Sequence, residues 1–177
     1  MRYLFVPALT LSALAYLAPT PSRSAALDDP TIVAIFDAAN TYDIETGHLA
    51  LQKSRTKAVR DLARQFMSDH TALRQQGRQL AKKLSVTPTP PKQLDLATAH
   101  AKAMKELRSK SGAEFDRAYA DQEVEYHQAV LDAVNGTLLP AIQNAELKAF
   151  VEKTGPAFQG HLEAAKQLQK TLAASHS

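Results

Sequence analysis

The 177-residue chain carries 21 Lys and Arg against 18 Asp and Glu, is 45% hydrophobic, and contains no cysteine and no tryptophan. Without cysteine, thiol catalysis, thiolate metal sites and disulfide exchange are excluded. The net charge of +3 is not gathered on one face, as a nucleic-acid footprint would require.

Met1 to Ala26 reads as a cleavable export signal. Arg2 supplies the positive start, Tyr3 to Ala18 an apolar core too short and too broken by Pro7 for a spanning helix, and Ser24-Ala25-Ala26 the small residues before a cleavage site. The expected mature chain is residues 27–177, one domain in a periplasmic or otherwise exported compartment, with no second run long enough to cross a membrane. Removing Arg2 and Arg23 takes the 21 bases to 19 against an unchanged 18 acids, so the net charge falls from +3 to +1.

Helix one is predicted from Asp29-Pro30, with Asp29 as N-cap, to about Lys53. Its apolar recurrence reads Ile35, Ala38, Tyr42, Leu49, interrupted by Glu45, with His48 nearer the edge. Helix two is predicted from about Thr56 to Leu84. Its stripe of Val59, Leu62, Phe66, His70, Leu73, Gly77, Leu80 and Leu84 runs in threes and fours, and it places His70 in a core slot. Val86 to Pro91 holds three prolines, which cannot continue a helix. It forms the expected crossing.

A short extra helix is predicted over about Leu94 to Arg108. Helix three should follow from Ala113 to about Leu139 with two competing faces: Phe115, Tyr119, Tyr126 and Ala133, or Asp116, Ala120, Glu123, His127, Val130 and Val134. Helix four, from Ala145 to about Ala173 behind an Asn144 cap, has Leu147, Phe150, Phe158, His161, Ala165, Leu168 and Leu172 on one stripe. Gly155-Pro156 is expected to kink or briefly break it. The whole reads as an all-α, four-helix bundle with a proline-rich crossover.

Several segments carry a family resemblance: Glu45-Thr46-Gly47-His48-Leu49-Ala50, Phe66-Met67-Ser68-Asp69-His70, Phe115-Asp116-Arg117-Ala118-Tyr119 with His127, and Leu147-Lys148-Ala149-Phe150, Pro156 and His161-Leu162-Glu163-Ala164-Ala165. In these the chain resembles domain-of-unknown-function family 4142, a ferritin-like helical family of exported or outer-membrane proteins. The resemblance implies the ferritin-like bundle and marks Glu45, His70, His127 and His161 as its characteristic polar positions. It implies no activity.

Inward Glu and His on neighbouring bundle helices can build a metal site. The expected set is Glu45, His70, His127 and His161 around one transition-metal ion, Zn, Cu or Fe, with His48, Asp69 and Glu123 as further ligands or supporting groups. The Glu-x-x-His spacing of di-iron carboxylate sites occurs only at Glu45-Thr46-Gly47-His48, which argues against a ferroxidase-type centre. Ser68-Asp69-His70 lists triad residue types, but neighbours on a helix point in different directions. Tyr42, Tyr119 and Tyr126 read as packing.

The competing expectation is a network without metal, in which His70 hydrogen-bonds Glu45 and His127 bonds Asp116. Two classes of function follow: an exported metal-binding bundle with a storage, sensing or stress role, or a metal-free envelope module for structure or protein interaction. A protein partner or a second copy fits either. No enzyme reaction is assignable.

Overall fold

A computed structural model describes residues 27–92 and 95–175. The expected signal, Met1 to Ala26, lies outside the described residues, as do Leu94, where the short helix was expected to begin, and the tail at His176.

The described residues are all-helical: α1 (Asp29–Lys53), α2 (Lys57–Lys83), α3 (Asp95–Ser109), α4 (Gly112–Ala133), a π-helical turn (Val134–Leu138), α5 (Leu139–Ala141) and α6 (Ala145–Ala174). The cap of α1 is Asp28 rather than the expected Asp29; its Oδ1 accepts from the Thr31 amide at 2.9 Å. Asp29 is thereby freed for another task. Its carboxylate accepts the amides of Gln143 and Asn144, both at 2.9 Å, tying the start of α1 to the start of α6. Asn144 caps α6 as expected, accepting from Glu146 and Leu147.

Helix three ends as an α-helix at Ala133, earlier than expected, and widens into the π-helical turn before Pro140. Helix four is not broken at Gly155-Pro156: α6 runs through Pro156, which lies exposed at the surface. No helix among the described residues is long and apolar enough to cross a membrane.

The long helices pair as α1 with α2 and α4 with α6, and the pairs close on one another through α2–α6 and α1–α4 contacts; α3 lies outside, against α1 and α4. The α1–α2 approach is close at Gly47, where an added Cβ would fall 3.3 Å from the Ala63 carbonyl oxygen and 2.5 Å from Met67 Cγ. That closeness draws the middle of α1 onto the middle of α2.

Of the residues predicted for the buried face of α1, only Leu49 is buried. Ile32, Asn40, Asp43, Thr46, Gly47 and Ala50 are buried, while Ile35, Ala38 and Tyr42 are only partly covered and Glu45 is exposed. A face carrying three polar side chains does not stand out from an apolar pattern, so periodicity pointed to its neighbour. On α2 and α6 the predicted stripes hold in large part: Val59, Leu62, Phe66, His70 and Gly77, and Leu147, Phe158, His161, Ala165, Leu168 and Leu172, are buried, while Leu73, Leu80, Leu84 and Phe150 are only partly covered.

The interior divides into two apolar clusters. One contains Leu49, Val59, Phe66, Leu107, Phe115, Tyr119 and Leu168. The other contains Ile32, Val130, Leu138, Val151, Phe158 and Leu162. Between them lies a layer of buried polar side chains.

Candidate metal centre

Four helices each contribute to that layer: Asn40, Asp43 and Thr46 from α1, His70 from α2, Glu123 and His127 from α4, and His161 from α6. The side chains of Asp43, His70, Glu123 and His127 are at most 1% exposed. Phe66 stacks on His161 with ring centroids 4.3 Å apart, and Phe158 packs against His70 at 5.5 Å, so a phenyl ring from each apolar cluster closes the layer.

The hydrogen-bond partners assign the imidazole tautomers. Asn40 Nδ2 donates to the Phe36 carbonyl at 2.8 Å, which turns its Oδ1 toward His70 Nδ1, 3.0 Å away. His70 therefore donates from Nδ1 and keeps a lone pair on Nε2. His127 Nδ1 is 2.9 Å from the Glu123 carbonyl and donates to it, which leaves the Nε2 lone pair. His161 Nε2 is 3.0 Å from Asp69 Oδ2 and donates to it, which leaves the Nδ1 lone pair.

These three free nitrogens face one another and Asp43. His70 Nε2 lies 3.4 Å from His127 Nε2, 3.1 Å from His161 Nδ1 and 3.5 Å from Asp43 Oδ2; His127 Nε2 lies 3.6 Å from the same oxygen. No ring N–H of the three imidazoles points into the space between them. Neither Asp43 oxygen has a hydrogen-bond partner, nor do Glu123 Oε2 and the Tyr119 hydroxyl. Orphaned buried acceptors of this kind are costly. A cation beside the three nitrogens would give Asp43 Oδ2 a partner.

Burial sets the charge states. Desolvation, aided by the neighbouring imidazoles, pushes His70 down to about 2. Desolvation pushes His127 down to about 4 against the opposing bond to the Glu123 carbonyl. His161 is lowered for the same reason, with Asp69 opposing. Both carboxyls move the other way. Asp43 is raised by burial to about 7, and Glu123 is raised well above its usual value by burial and by the charge of Asp43. The imidazoles are thus neutral and ready to coordinate, while the carboxyls hold protons that a cation would have to replace.

The sequence-derived set is met in part. His70, His127 and His161 come together. Glu45 does not join them: its side chain is 51% exposed and accepts from His100 Nε2 on α3 at 2.8 Å, and His100 stacks on Tyr42. His48 is also exposed. The carboxylate that α1 turns inward is Asp43, two residues from Glu45 and so on another side of the helix. Asp69 and Glu123 sit beside the histidines, Asp69 as the acceptor for His161. The pairings expected of a metal-free network are absent. His70 bonds Asn40 rather than Glu45, and Asp116 accepts from Thr56 rather than from His127.

Asp43 and Asn40 were missed. A signal for them exists: positions 32, 36, 40, 43, 47 and 50 form an unbroken three-four series on α1 once Asn and Asp are allowed into it.

The sequence profile of a domain of unknown function, DUF4142, matches residues 16–168. The chain belongs to the DUF4142 family. Among solved structures, the chain is similar to CopM in the Cu(II)-bound form, at 16% identity with a TM-score of 0.62, over 82% of this chain and 98% of that one. It is likewise similar to CopM in the Cu(I)-bound form, at 16% identity with a TM-score of 0.64, over 82% of this chain and 97% of the other. At this identity the likeness establishes the fold alone. No curated protein matches the sequence.

Proposed function

We propose that this DUF4142 protein binds one transition-metal ion through His70 Nε2, His127 Nε2, His161 Nδ1 and Asp43 Oδ2. One observation carries the reading: His70 Nε2 lies 3.1 to 3.5 Å from His161 Nδ1, His127 Nε2 and Asp43 Oδ2, with no ring N–H between them. A tetrahedral ion with ligand bonds of about 2.0–2.1 Å needs ligand–ligand edges of about 3.3–3.4 Å. The edges that meet at His70 are therefore already near the size that a metal requires.

Asn40, the Glu123 carbonyl and Asp69 orient the three imidazoles from behind, as outer partners do in metal sites. Three nitrogens and one oxygen without sulfur suit Zn(II) or Cu(II), with Fe(II) next. The copper-bound state of the fold's relative CopM is compatible with this reading. Glu45 and His48 stand outside the site.

The fold is in our reading a ferritin-like four-helix bundle with an added short helix. The chain is exported, with Leu27 as the first mature residue, and handles metal in the envelope as a store, sensor or stress protein. Protein purified from the periplasm without a histidine tag should retain close to one metal ion per chain by elemental analysis. Zn(II) or Cu(II) should raise the melting temperature of stripped wild type and leave His127→Ala and His161→Ala unchanged. No metal effect on wild type would overturn the reading. N-terminal sequencing that finds an intact Met1 would overturn the export.

A further inference from the structure

The proposed ligands reach the surface along one edge. Asp43, His70 and His127 are sealed in the interior. Phe66 and Phe158 cover the layer from the two apolar clusters. The α1–α4 seam is stitched by the Tyr126 hydroxyl, which donates to the Ala39 carbonyl at 2.7 Å, and α1 lies close on α2 at Gly47. The seam between α2 and α6 is different. There the His161 ring, 5% exposed, stands between the centre and a carboxylate, Asp69, that is 46% exposed. Its two nitrogens face opposite ways: Nδ1 is 3.1 Å from His70 Nε2, and Nε2 is 3.0 Å from Asp69 Oδ2.

We propose that Asp69 is the entry point for the metal ion and His161 the door: the carboxylate captures a divalent cation at the surface, and the imidazole swings outward, takes it on Nδ1 and carries it in. The inference rests on the proposed metal site and adds the route into it. Among the described residues Asp69 is paired with no Lys or Arg, so its charge is available to a cation. Oδ2 accepts from His161, which leaves Oδ1 for the ion. The doorway is framed by small side chains. Helices α2 and α6 run antiparallel, since Asp69 meets His161 and Lys83 meets Glu146. Ala72, one turn on from Asp69, and Ala157, one turn back from His161, therefore lie at the same level of the seam, and both are exposed. Beside the ring's own backbone the space is open, since a Cβ added at Gly160 would meet nothing within 4 Å.

The swing breaks a single half-exposed hydrogen bond, from His161 Nε2 to Asp69, and remakes it when the ring returns. The Nε2 proton stays on the ring throughout, so the lone pair that meets the ion outside is the one that faces His70 inside. Capture at a surface carboxylate works through charge and is therefore read in the rate of uptake and in its response to salt. Against a divalent ion about 4 Å away in bulk water, one unit of charge changes the population of the encounter more than about tenfold. At about 1 M ionic strength the screening length of about 3 Å removes most of that effect. A side chain that only orients His161 acts differently: it changes how long the ion stays, not how fast it arrives.

The test is stopped-flow mixing of the metal-free full chain with Co(II), whose tetrahedral complexes absorb in the visible, at ionic strengths of about 0.01 M and about 1 M. At the lower salt Asp69→Asn, which keeps an acceptor for His161, should take up Co(II) at least about fivefold more slowly than wild type. At the higher salt the two rates should converge to within about twofold. Asp69→Glu, which keeps the charge, should restore both the rate and its salt dependence. Ala157→Leu, which narrows the doorway, should slow entry, and exit into excess EDTA, by the same factor and so leave the dissociation constant unchanged. An Asp69→Asn uptake rate equal to wild type at low salt, with only a faster exit, would make Asp69 an orienting partner alone and overturns the inference. Failure of wild type to bind Co(II) or Zn(II) would instead remove the underlying site. If Asp69→Asn does not fold, Ala157→Leu decides: unchanged entry and exit rates would refute the route.

Discussion

The two apolar clusters and the polar layer between them are equally buried and are held by opposite means. Around Phe115, Leu107 and Leu168, the aliphatic and phenyl side chains are satisfied by contact, and their only requirement is volume. In the layer, the imidazoles are aimed by bonds made on their far sides, and both oxygens of Asp43 are left without hydrogen-bond partners. A folding core has no use for convergent lone pairs, because each unsatisfied buried acceptor costs about 1–3 kcal/mol. The apolar clusters stabilise the fold, and the layer draws on that stability.

That contrast can be broken most forcefully from the apolar side. Phe115→Ala, a fully buried ring far along α4 from the histidines, should cost about 3–5 kcal/mol. The loss should be the same with and without Zn(II), so the metal-induced gain measured by calorimetry stays intact.

His127→Ala should do the reverse. Metal at a thousandfold excess over its dissociation constant adds about 4 kcal/mol, and this variant should forfeit that increment while circular dichroism shows the helices still formed. A metal increment that survives in His127→Ala would place the ion elsewhere.

Asp43→Asn sharpens the comparison further. In metal-free protein at pH 8 the substitution removes a buried charge that has no donor. Its melting temperature should therefore rise above wild type, by a stability on the order of 1–3 kcal/mol, while Zn(II) affinity falls at least tenfold. A loss of metal-free stability would mean that Asp43 is structurally paired.

The pH dependence follows from the same groups. Asp43 binds its proton more tightly when folded, about 7 against 3.8 unfolded. The stability this adds to metal-free protein is present at low pH and is lost as pH rises toward 7. His127 behaves oppositely: its folded value of about 4 lies below 6.5, so its contribution is present above 6.5 and lost as pH falls toward 4. The proton that competes with metal near neutrality is thus on a carboxyl. The Zn(II)-induced gain in melting temperature should shrink as pH drops through about 7. An inflection at the ordinary histidine value of about 6.5, which sequence alone would suggest, would indicate that the imidazoles are not desolvated as described.

The smallest effect is expected at the residue that sequence ranked among the ligands. Glu45→Gln removes an exposed ion pair with His100 and should change stability by less than about 0.5–1 kcal/mol, with no change in metal binding.

The helices, the crossing and three of the four proposed ligands were legible in the chain itself. His70 and His161 interrupt otherwise apolar stripes at three-four spacing, and a polar residue in such a slot must face the interior. His127 was legible as one of two competing faces of α4, and both contribute: Phe115 and Tyr119 are buried beside Asp116, Glu123 and His127. Helix α1 was misread because its interior face is itself polar at the centre. Where Asn40, Asp43 and Thr46 replace apolar residues, hydrophobic periodicity no longer marks the inside, and Glu45 borrowed the role.

Local chemistry determined what the sequence determined: propensity, prolines and the spacing of apolar residues act over a few turns of one helix, and they fix where helices run. Which carboxylate meets the histidines is set by the rotation of α1 about its own axis. That rotation depends on the close approach at Gly47 to Ala63 and Met67 and on the Asp29 contacts to the start of α6. Both are contacts between segments distant in the chain, and only the packed structure decides them.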